Sequence, residues 1–197
     1  WVGLVTAVTA LGGLAPGALG PVPATLVPFA LFLGILVGGW YVLPRFRQAL
    51  LSIPLPALIG LNAARLGGIS FLILAADDRL SAPFAPAAGL GDMLVATLAI
   101  PLAIMAARGA GELSNWFRLW NVLGALDLVV AVSLGILSAP GTPLRIFADG
   151  PGTEAMTMLP WAFVPAMIVP LFLLIHLTIA DKLKRTNRAS VAIALNM

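Results

Sequence analysis

Six long runs of apolar residues constrain this chain more than any other feature of its sequence. A helix needs about 20 apolar residues to cross the hydrocarbon core of a bilayer. Four of the runs exceed that length, the run at 90–107 is at the short end of the spanning range, and the run at 1–15 is the doubtful one. The pattern predicts an all-α bundle of six transmembrane helices in one domain. The predicted spans are residues 1–15, 22–43, 54–76, 90–107, 116–138 and 159–180, with a tail at 181–197.

The overall composition agrees with this pattern. The chain is 60% hydrophobic and 10% charged, whereas soluble domains carry about 25% charged residues. A chain this apolar cannot cover its own surface in water, so its main partner is the lipid bilayer. The sequence has no cysteine, which leaves out disulfides, thiolate metal sites and cysteine nucleophiles. It also lacks the common motifs of serine hydrolases, zinc proteases and phosphate-binding loops, so no enzyme activity is predicted.

The positions of the cationic residues predict the orientation. Cytoplasmic loops of membrane proteins are enriched in Lys and Arg. If six helices alternate, eight cationic residues fall on one side, against Arg79 and Arg145 on the other. The eight are Arg45, Arg47, Arg108, Arg118, Lys182, Lys184, Arg185 and Arg188. We therefore expect both termini to be cytoplasmic, and the net charge of +3 indicates loop asymmetry rather than nucleic-acid binding.

Arg65 and Asp127 are charged residues at membrane depth. Each lies about 11 residues into its predicted span, which is roughly 16 Å from the cytoplasmic boundary at 1.5 Å per residue. A charge at the bilayer centre costs about 2.5–3.5 kcal/mol on insertion scales. Equal depth and opposite sign predict that the two residues pair with each other. The pair is either a substrate, proton or ion site, or a salt bridge that fixes helix order.

Three further polar residues are expected nearer the cytoplasm than this pair. Asn62 is one helical turn from Arg65, and Asn121 and His176 are each about five residues from the inner ends of their spans. His176 is the only histidine. A hydrogen bond from its ring to a backbone carbonyl or to Asn121 is favoured over haem ligation, because the chain offers no second histidine. The sequence leaves any cofactor unassigned.

Asp92 and several prolines have both a structural and a functional interpretation. Asp92 lies at the predicted start of the fourth span, where an acidic residue complements the helix dipole. We therefore favour helix capping over a substrate role for Asp92.

Pro101, Pro165 and Pro170 lie inside predicted spans and remove helix hydrogen bonds, which predicts kinks. The kinks either open a cavity or only curve the helices.

Two long segments between the predicted spans contain glycine and proline. Residues 77–89 and 139–158 are therefore predicted to be irregular loops on the outer side. They either cap the outer face of the bundle or are solvated connectors.

The pair Gly34 and Gly38 in the second run is typical of close helix packing. It could serve packing within the bundle or in a homo-oligomer.

Several short motifs resemble an uncharacterised family of small bacterial inner-membrane proteins. They are Arg65-x-x-Gly68-x-x-Phe71, Gly89-x-Gly91-Asp92, Asn121-x-x-Gly124-x-x-Asp127, Leu159-Pro160, Val169-Pro170 and His176. The resemblance covers roughly residues 54–183. It implies a multi-pass protein of the bacterial inner (cytoplasmic) membrane. It carries no activity over to this chain.

The leading functional hypothesis is a membrane protein that handles a small solute, proton or ion. Arg65 and Asp127 would form its midplane site, with Asn121 and His176 on the cytoplasmic route. Asn62 and Asp92 are further candidates for ligand or proton binding. Two alternatives remain open: a non-catalytic subunit of a larger membrane complex, and a haem- or quinone-associated redox protein with His176 as ligand.

Overall fold

The computed structural model describes residues 1–109 and 114–195, and throughout these residues the regular structure is helical. The α-helices are α1 (Val2–Ala10), α2 (Leu26–Val42), α3 (Pro44–Ser52), α4 (Leu55–Leu61), α5 (Ile69–Ala76), α6 (Phe84–Ala107), α7 (Ser114–Leu137) and α8 (Val169–Leu195). The all-α prediction is confirmed over this range. The described part leaves out residues 110–113, which belong to the predicted loop after the fourth span, the end of the predicted tail at 196–197, and the side chain of Arg188.

Four helical stretches are long and apolar enough to cross a membrane. They are Leu55–Ala76, Phe84–Ala107, Asn115–Leu137 and Val164–Thr186. The first combines α4 and α5 through the 3₁₀ segment Asn62–Gly68, and the last begins with a π-helical turn at Val164–Ile168.

The structure does not confirm the six predicted spans. Helix α1 has 9 residues, or about 14 Å at the helical rise, which is less than half of a hydrocarbon core of about 30 Å. Helix α2 has 17 residues, and α3 follows it at an angle of 96°. The two count as a fifth span only if they are taken together. The bend falls at Leu43, which is extended because the following Pro44 disfavours helical backbone.

Helix α6 begins six residues before the predicted start of the fourth span. Pro83 is its N-cap, and Pro86 lies in its first turn, where a missing N–H costs no helix hydrogen bond. Residues 84–89, predicted to belong to an irregular loop, are therefore helical. Asp92 lies inside α6 and not at its N-terminus, so the capping interpretation is wrong.

The prolines inside the spans are accommodated in different ways. Pro101 lies within the continuous helix α6, and Pro165 lies in the π-helical turn. Pro170 cannot donate to the carbonyl of Ala166, and the indole N–H of Trp1 donates to that oxygen instead, at 2.9 Å. The structure does not confirm kinks at these positions. It does supply a neighbouring donor for the carbonyl that Pro170 leaves free.

Two apolar layers fill the interior of the bundle, one toward each end. The layer nearer α3 contains Leu58, Ile59, Val95, Ala99, Phe117, Trp120, Ile179 and Leu183. The layer nearer the 139–158 segment contains Phe71, Leu74, Leu80, Phe84, Ala85, Ala88, Ala155 and Met156. We call the two ends of the bundle the α3 end and the loop end. The buried polar side chains Asn62, Arg65, Asn121 and His176 lie between the two layers, which shield them.

The two predicted outer loops cap the loop end. The backbone N–H of Ser81 donates to the carbonyl of Gly152 at 3.0 Å, and the Gly152 N–H donates to the Ser81 hydroxyl at 2.9 Å. Leu80 and Met156, one from each segment, are buried in the same apolar layer. The Thr153 hydroxyl donates to the carbonyl of Gly135 at 3.2 Å, which ties the second segment to α7. Parts of both segments are thus packed on the fold, whereas residues 77–79 and 148–150 are exposed.

A core substitution tests this packing. Ile59 is fully buried in α4, whereas Leu61 in the same helix is 50% exposed. Replacing a buried Ile by Ala removes contacts and leaves a cavity, so Ile59→Ala should lower the free energy of unfolding by about 2 kcal/mol or more. Leu61→Ala should change it by less than about 0.5 kcal/mol. Unfolding in mixed micelles by a denaturing detergent measures both, and equal losses would contradict the packing described.

Candidate functional site

Arg65 lies at the middle of the bundle and bonds to three other spans. Its Nε donates to Asp92 Oδ1 on α6 at 2.7 Å, and its Nη2 donates to Asp127 Oδ2 on α7. Its Nη1 donates to the carbonyl of Gly124 at 3.1 Å and lies 3.3 Å from Nε2 of His176 on α8. The Arg65 side chain is 1% exposed. Four of the five guanidinium N–H groups therefore have partners.

The local winding of the chain explains why Arg65 points inward. Arg65 lies in the 3₁₀ segment Asn62–Gly68, where side chains three residues apart stack on one face. The buried residues of this segment are Asn62, Arg65 and Gly68, which have that spacing. The 3₁₀ winding thus turns one row of side chains toward α6. Gly68 has no side chain, so α6 can approach this row closely.

Glycines opposite the charged side chains bring the spans close together. A Cβ on Gly68 would lie 2.5 Å from Cβ of Asp92, and a Cβ on Gly124 would lie 2.6 Å from Cε1 of His176. A Cβ on Gly91 would overlap Oδ1 of Asp127. Each glycine thus makes room for an ionisable side chain from another helix.

The hydrogen bonds around His176 determine the tautomer of its ring. Asn121 Nδ2 donates to the backbone carbonyl of His176 at 3.1 Å, so Oδ1 is the amide atom that faces His176 Nδ1, 2.9 Å away. Nδ1 therefore carries a proton and donates to Asn121, which leaves the lone pair of Nε2 to accept from Arg65. A doubly protonated ring would set an N–H group against the guanidinium. The arrangement therefore requires a neutral His176.

The charges of this cluster do not balance when both carboxyl groups are ionised. Arg65 contributes +1, Asp92 and Asp127 contribute −1 each, and neutral His176 contributes nothing, which gives −1. The side chains of Asp92 and Asp127 are only 18% and 17% exposed. An uncompensated buried charge is costly. One bound proton or monovalent cation would bring the cluster to neutrality. We call Arg65, Asp92, Asp127, His176 and Asn121 the polar centre.

An apolar cleft leads from Asp92 toward the loop end. It encloses about 670 Å³ of space, part of it open to the surroundings. Most of its lining is aliphatic or aromatic, and the hydroxyls of Thr25 and Thr153 are its other polar side chains. Among its lining residues are Phe29, Phe71, Phe84, Leu128, Met156, Val164 and Pro165. Among the described residues, Asp92 is the one ionisable group that lines the cleft.

The comparison with protein families identifies a relationship over most of the chain. A family model described as Domain of unknown function (DUF8737) matches residues 7–183. The chain belongs to this family. The match includes every residue of the polar centre and extends well before residue 54, where the resemblance noted from the motifs begins. No curated protein and no solved structure matches the chain.

The structure brings together most of the site residues predicted for this DUF8737 chain. The contact between Arg65 and Asp127, expected from their equal depth, is present. His176 touches Arg65 directly instead of lying one layer away. Asn62 does not join the cluster, because its Nδ2 donates to the carbonyl of Leu58 at 3.1 Å. Its Oδ1 is buried and has no hydrogen-bond partner in the described part of the chain.

The sequence analysis missed Asp92 as a second partner of Arg65. The signal was the motif Gly89-x-Gly91-Asp92, which places a carboxylate one residue after a glycine that faces α7. Recognising it required the true start of α6 at Phe84, which sets Asp92 eight residues inside the helix.

The polar centre lacks the three ligating side chains that a dedicated metal centre requires. Within residues 1–109 and 114–195, no group of three or more His, Asp or Glu side chains could hold a metal ion. Both ring nitrogens of His176 take part in hydrogen bonds. Haem ligation would therefore require breaking the bond to Arg65 or to Asn121. This counts against the haem hypothesis on chemical grounds.

Gly91 provides a test of the close helix approach. Ala is normally favoured over Gly inside a helix by about 1 kcal/mol. At Gly91 the added methyl would overlap Asp127, so Gly91→Ala should instead lower the free energy of unfolding, by about 1–3 kcal/mol. Gly38→Ala in α2 is the control, because no atom of another described segment lies within 4 Å of its Cβ position. Equal effects of the two substitutions on detergent-induced unfolding would contradict the assigned contact.

Proposed function

We propose that this protein handles a small solute, proton or ion at the polar centre, and that the species bound there is a proton or a small cation. One observation carries the proposal: a single buried arginine shares its guanidinium between two carboxylates from different spans. This leaves one negative charge in excess between two apolar layers. A cation or proton relieves that excess, whereas an anion increases it.

An anionic ligand is disfavoured by the way Arg65 is bonded. Four of its five N–H groups already have partners. An anion would have to displace Asp92 or Asp127 from the guanidinium and leave that carboxylate without its partner in a dry environment. The cost of an unpaired buried charge is several kcal/mol. The two carboxylates therefore select against a further negative charge.

The shared arginine also provides a way to bind and release a cation at low cost. When a proton or cation occupies Asp92, Arg65 keeps its ion pair with Asp127. When it occupies Asp127 instead, Arg65 keeps its ion pair with Asp92. Arg65 is thus paired in every state. The cleft gives Asp92 access from the loop end, while Val95, Trp120 and Ile179 form part of the apolar layer on the other side. Passage through the protein would require movement of that layer.

Neutralising one carboxylate tests this function. Asp92→Asn and Asp127→Asn each keep a hydrogen-bonding side chain and leave Arg65 with one carboxylate, so both variants should fold. Each should reduce proton or sodium uptake by protein-containing liposomes at least tenfold, because the exchange between two carboxylates is lost. Uptake is followed with entrapped ion-sensitive dyes under a potassium diffusion potential. Asp77→Asn, in an exposed turn, is the matched control and should retain full uptake.

Two results would count against the proposal. Wild-type uptake in both Asp92→Asn and Asp127→Asn would show that the carboxylates do not carry the ion. Uptake of neither ion above that of empty liposomes by the unmodified protein would remove the function. Arg65→Gln is not a substitute for these variants, because it leaves two buried carboxylates unpaired and should cost about 3–5 kcal/mol of stability.

We further propose that the protein lies in a bacterial inner membrane with the α3 end, where α8 carries Lys182 and Arg185, in the cytoplasm. The contacts at the α3 end support this orientation, because they gather cationic residues from separate parts of the chain. Arg47 and Arg185 both bond to Asp181, and Arg118 donates to the carbonyl of Leu183 at 3.3 Å. The positive-inside bias places such an end in the cytoplasm.

Single introduced cysteines test the orientation, because the chain has no cysteine of its own. Lys184→Cys places a thiol at the α3 end, and Asp149→Cys places one in the loop that caps the opposite end, both at exposed positions. In intact cells, a membrane-impermeant maleimide should label Asp149→Cys alone. After membrane disruption it should label both, which controls for reactivity. Labelling of Lys184→Cys alone in intact cells would reverse the orientation.

A further inference from the structure

A second charged cavity lies at the α3 end, away from the polar centre. It is formed where α2 ends, α3 bends away and α8 passes by, and it encloses about 480 Å³, partly open to the surroundings. The residues that line it are Trp40, Tyr41, Pro44, Arg47, Gln48, Leu51 and Arg185. Two guanidinium groups, one amide and one phenol thus face a space that also has an apolar wall.

Arg47 is held in place and retains a free donor. Its guanidinium lies over the ring of buried Trp40, with Cζ 5.3 Å from the ring centroid. Its Nη2 donates to Asp181 Oδ2 at 2.8 Å. Its Nε is buried and has no hydrogen-bond partner among the described residues. The Arg47 side chain as a whole is 39% exposed, so the rest of its guanidinium remains open to an acceptor brought by a ligand.

The charge at this cavity is positive. Asp181 Oδ2 accepts from both Arg47 and Nε of Arg185, the latter at 3.2 Å. One carboxylate between two guanidinium groups leaves a charge of +1. Lys182 adds a further positive charge nearby, and its Nζ donates to the carbonyl of Leu51 at 2.6 Å, which ties α3 to α8.

We propose that this cavity binds the phosphodiester group of an anionic phospholipid. Phosphate oxygens would accept from the exposed N–H groups of the Arg47 and Arg185 guanidiniums, whose side chains are 39% and 58% exposed, since arginine pairs well with phosphate. Helix α3 leaves α2 at 96° and carries Arg45 and Arg47 beside Phe46 and Leu50, a pattern typical of helices at a membrane surface. Basic pockets of this kind between helices bind lipid headgroups.

The apolar wall favours a lipid over free phosphate. Trp40, Pro44 and Leu51 line the same cavity as the two arginines. Pro44 and Leu51 provide contact for the glycerol and the first acyl carbons next to the phosphate, whereas Trp40 is buried beneath Arg47. Inorganic phosphate or glycerol phosphate would use the charges and leave this wall exposed. The proposal is independent of the ion-handling function proposed for the polar centre.

A lipid-binding measurement tests the site on the full chain. Delipidated protein in detergent is titrated with phosphatidylglycerol or phosphatidylcholine, and the lipid adducts are counted by native mass spectrometry. We expect one saturable phosphatidylglycerol adduct of at least tenfold higher affinity than any phosphatidylcholine adduct. A charge-assisted hydrogen bond to a phosphate oxygen changes affinity about tenfold. Arg47→Gln and Arg185→Gln should each weaken phosphatidylglycerol binding by about that factor.

Matched controls separate this site from general surface attraction. Arg45→Gln removes the same charge from the same helix at an exposed position that does not line the cavity, and it should leave the affinity unchanged. If Arg47→Gln fails to fold, Arg185→Gln decides alone, because the Arg185 side chain is 58% exposed and its loss keeps the Arg47–Asp181 pair. Equal binding of both lipids, equal effects of Arg45→Gln and Arg185→Gln, or displacement by equimolar glycerol phosphate would overturn the proposal.

Discussion

The ion pairs of Arg65 are the interaction on which the rest of this structure depends. A guanidinium in the middle of an apolar bundle is tolerable only when its N–H groups have partners. Arg65 finds them on three other spans, so its side chain fixes how α6, α7 and α8 sit around the 3₁₀ segment. The two apolar layers then close over the charges from both ends. The glycines opposite each ionisable residue are the steric counterpart of the same requirement.

Depth matching along the sequence was enough to predict the contact between Arg65 and Asp127, because both residues lie near the middle of long apolar runs. The same reasoning failed for Asp92. Proline was taken as a sign of irregular backbone, although in a first helical turn it is harmless. Moving the start of α6 from residue 90 to Phe84 shifts the N-terminal end by about 9 Å at the helical rise. That distance separates an interfacial carboxylate from a buried one.

Other features depended on tertiary contacts that a single sequence does not display. The number of spans could not be read from the run at 1–15, because apolar character alone does not make a nine-residue helix long enough to cross. The role of Gly91 and Gly124 depends on which helix faces them. The loops at 77–89 and 139–158 were predicted as irregular, but only the bonds between Ser81 and Gly152 decide that they pack on each other. The 3₁₀ winding around Arg65 had no sequence signal that we recognised.

The 3₁₀ segment Asn62–Gly68 couples the length of its span to the ion pairs. A 3₁₀ helix rises about 2.0 Å per residue and turns about 120°, compared with about 1.5 Å and 100° in an α-helix. Rewinding these 7 residues into α-helix would shorten the span by about 3.5 Å and rotate its two ends by roughly 140° relative to each other. Asn62, Arg65 and Gly68 would then spread over about 120° of the helix surface instead of forming one straight row. The pitch of this helix and the partners of Arg65 therefore cannot change separately.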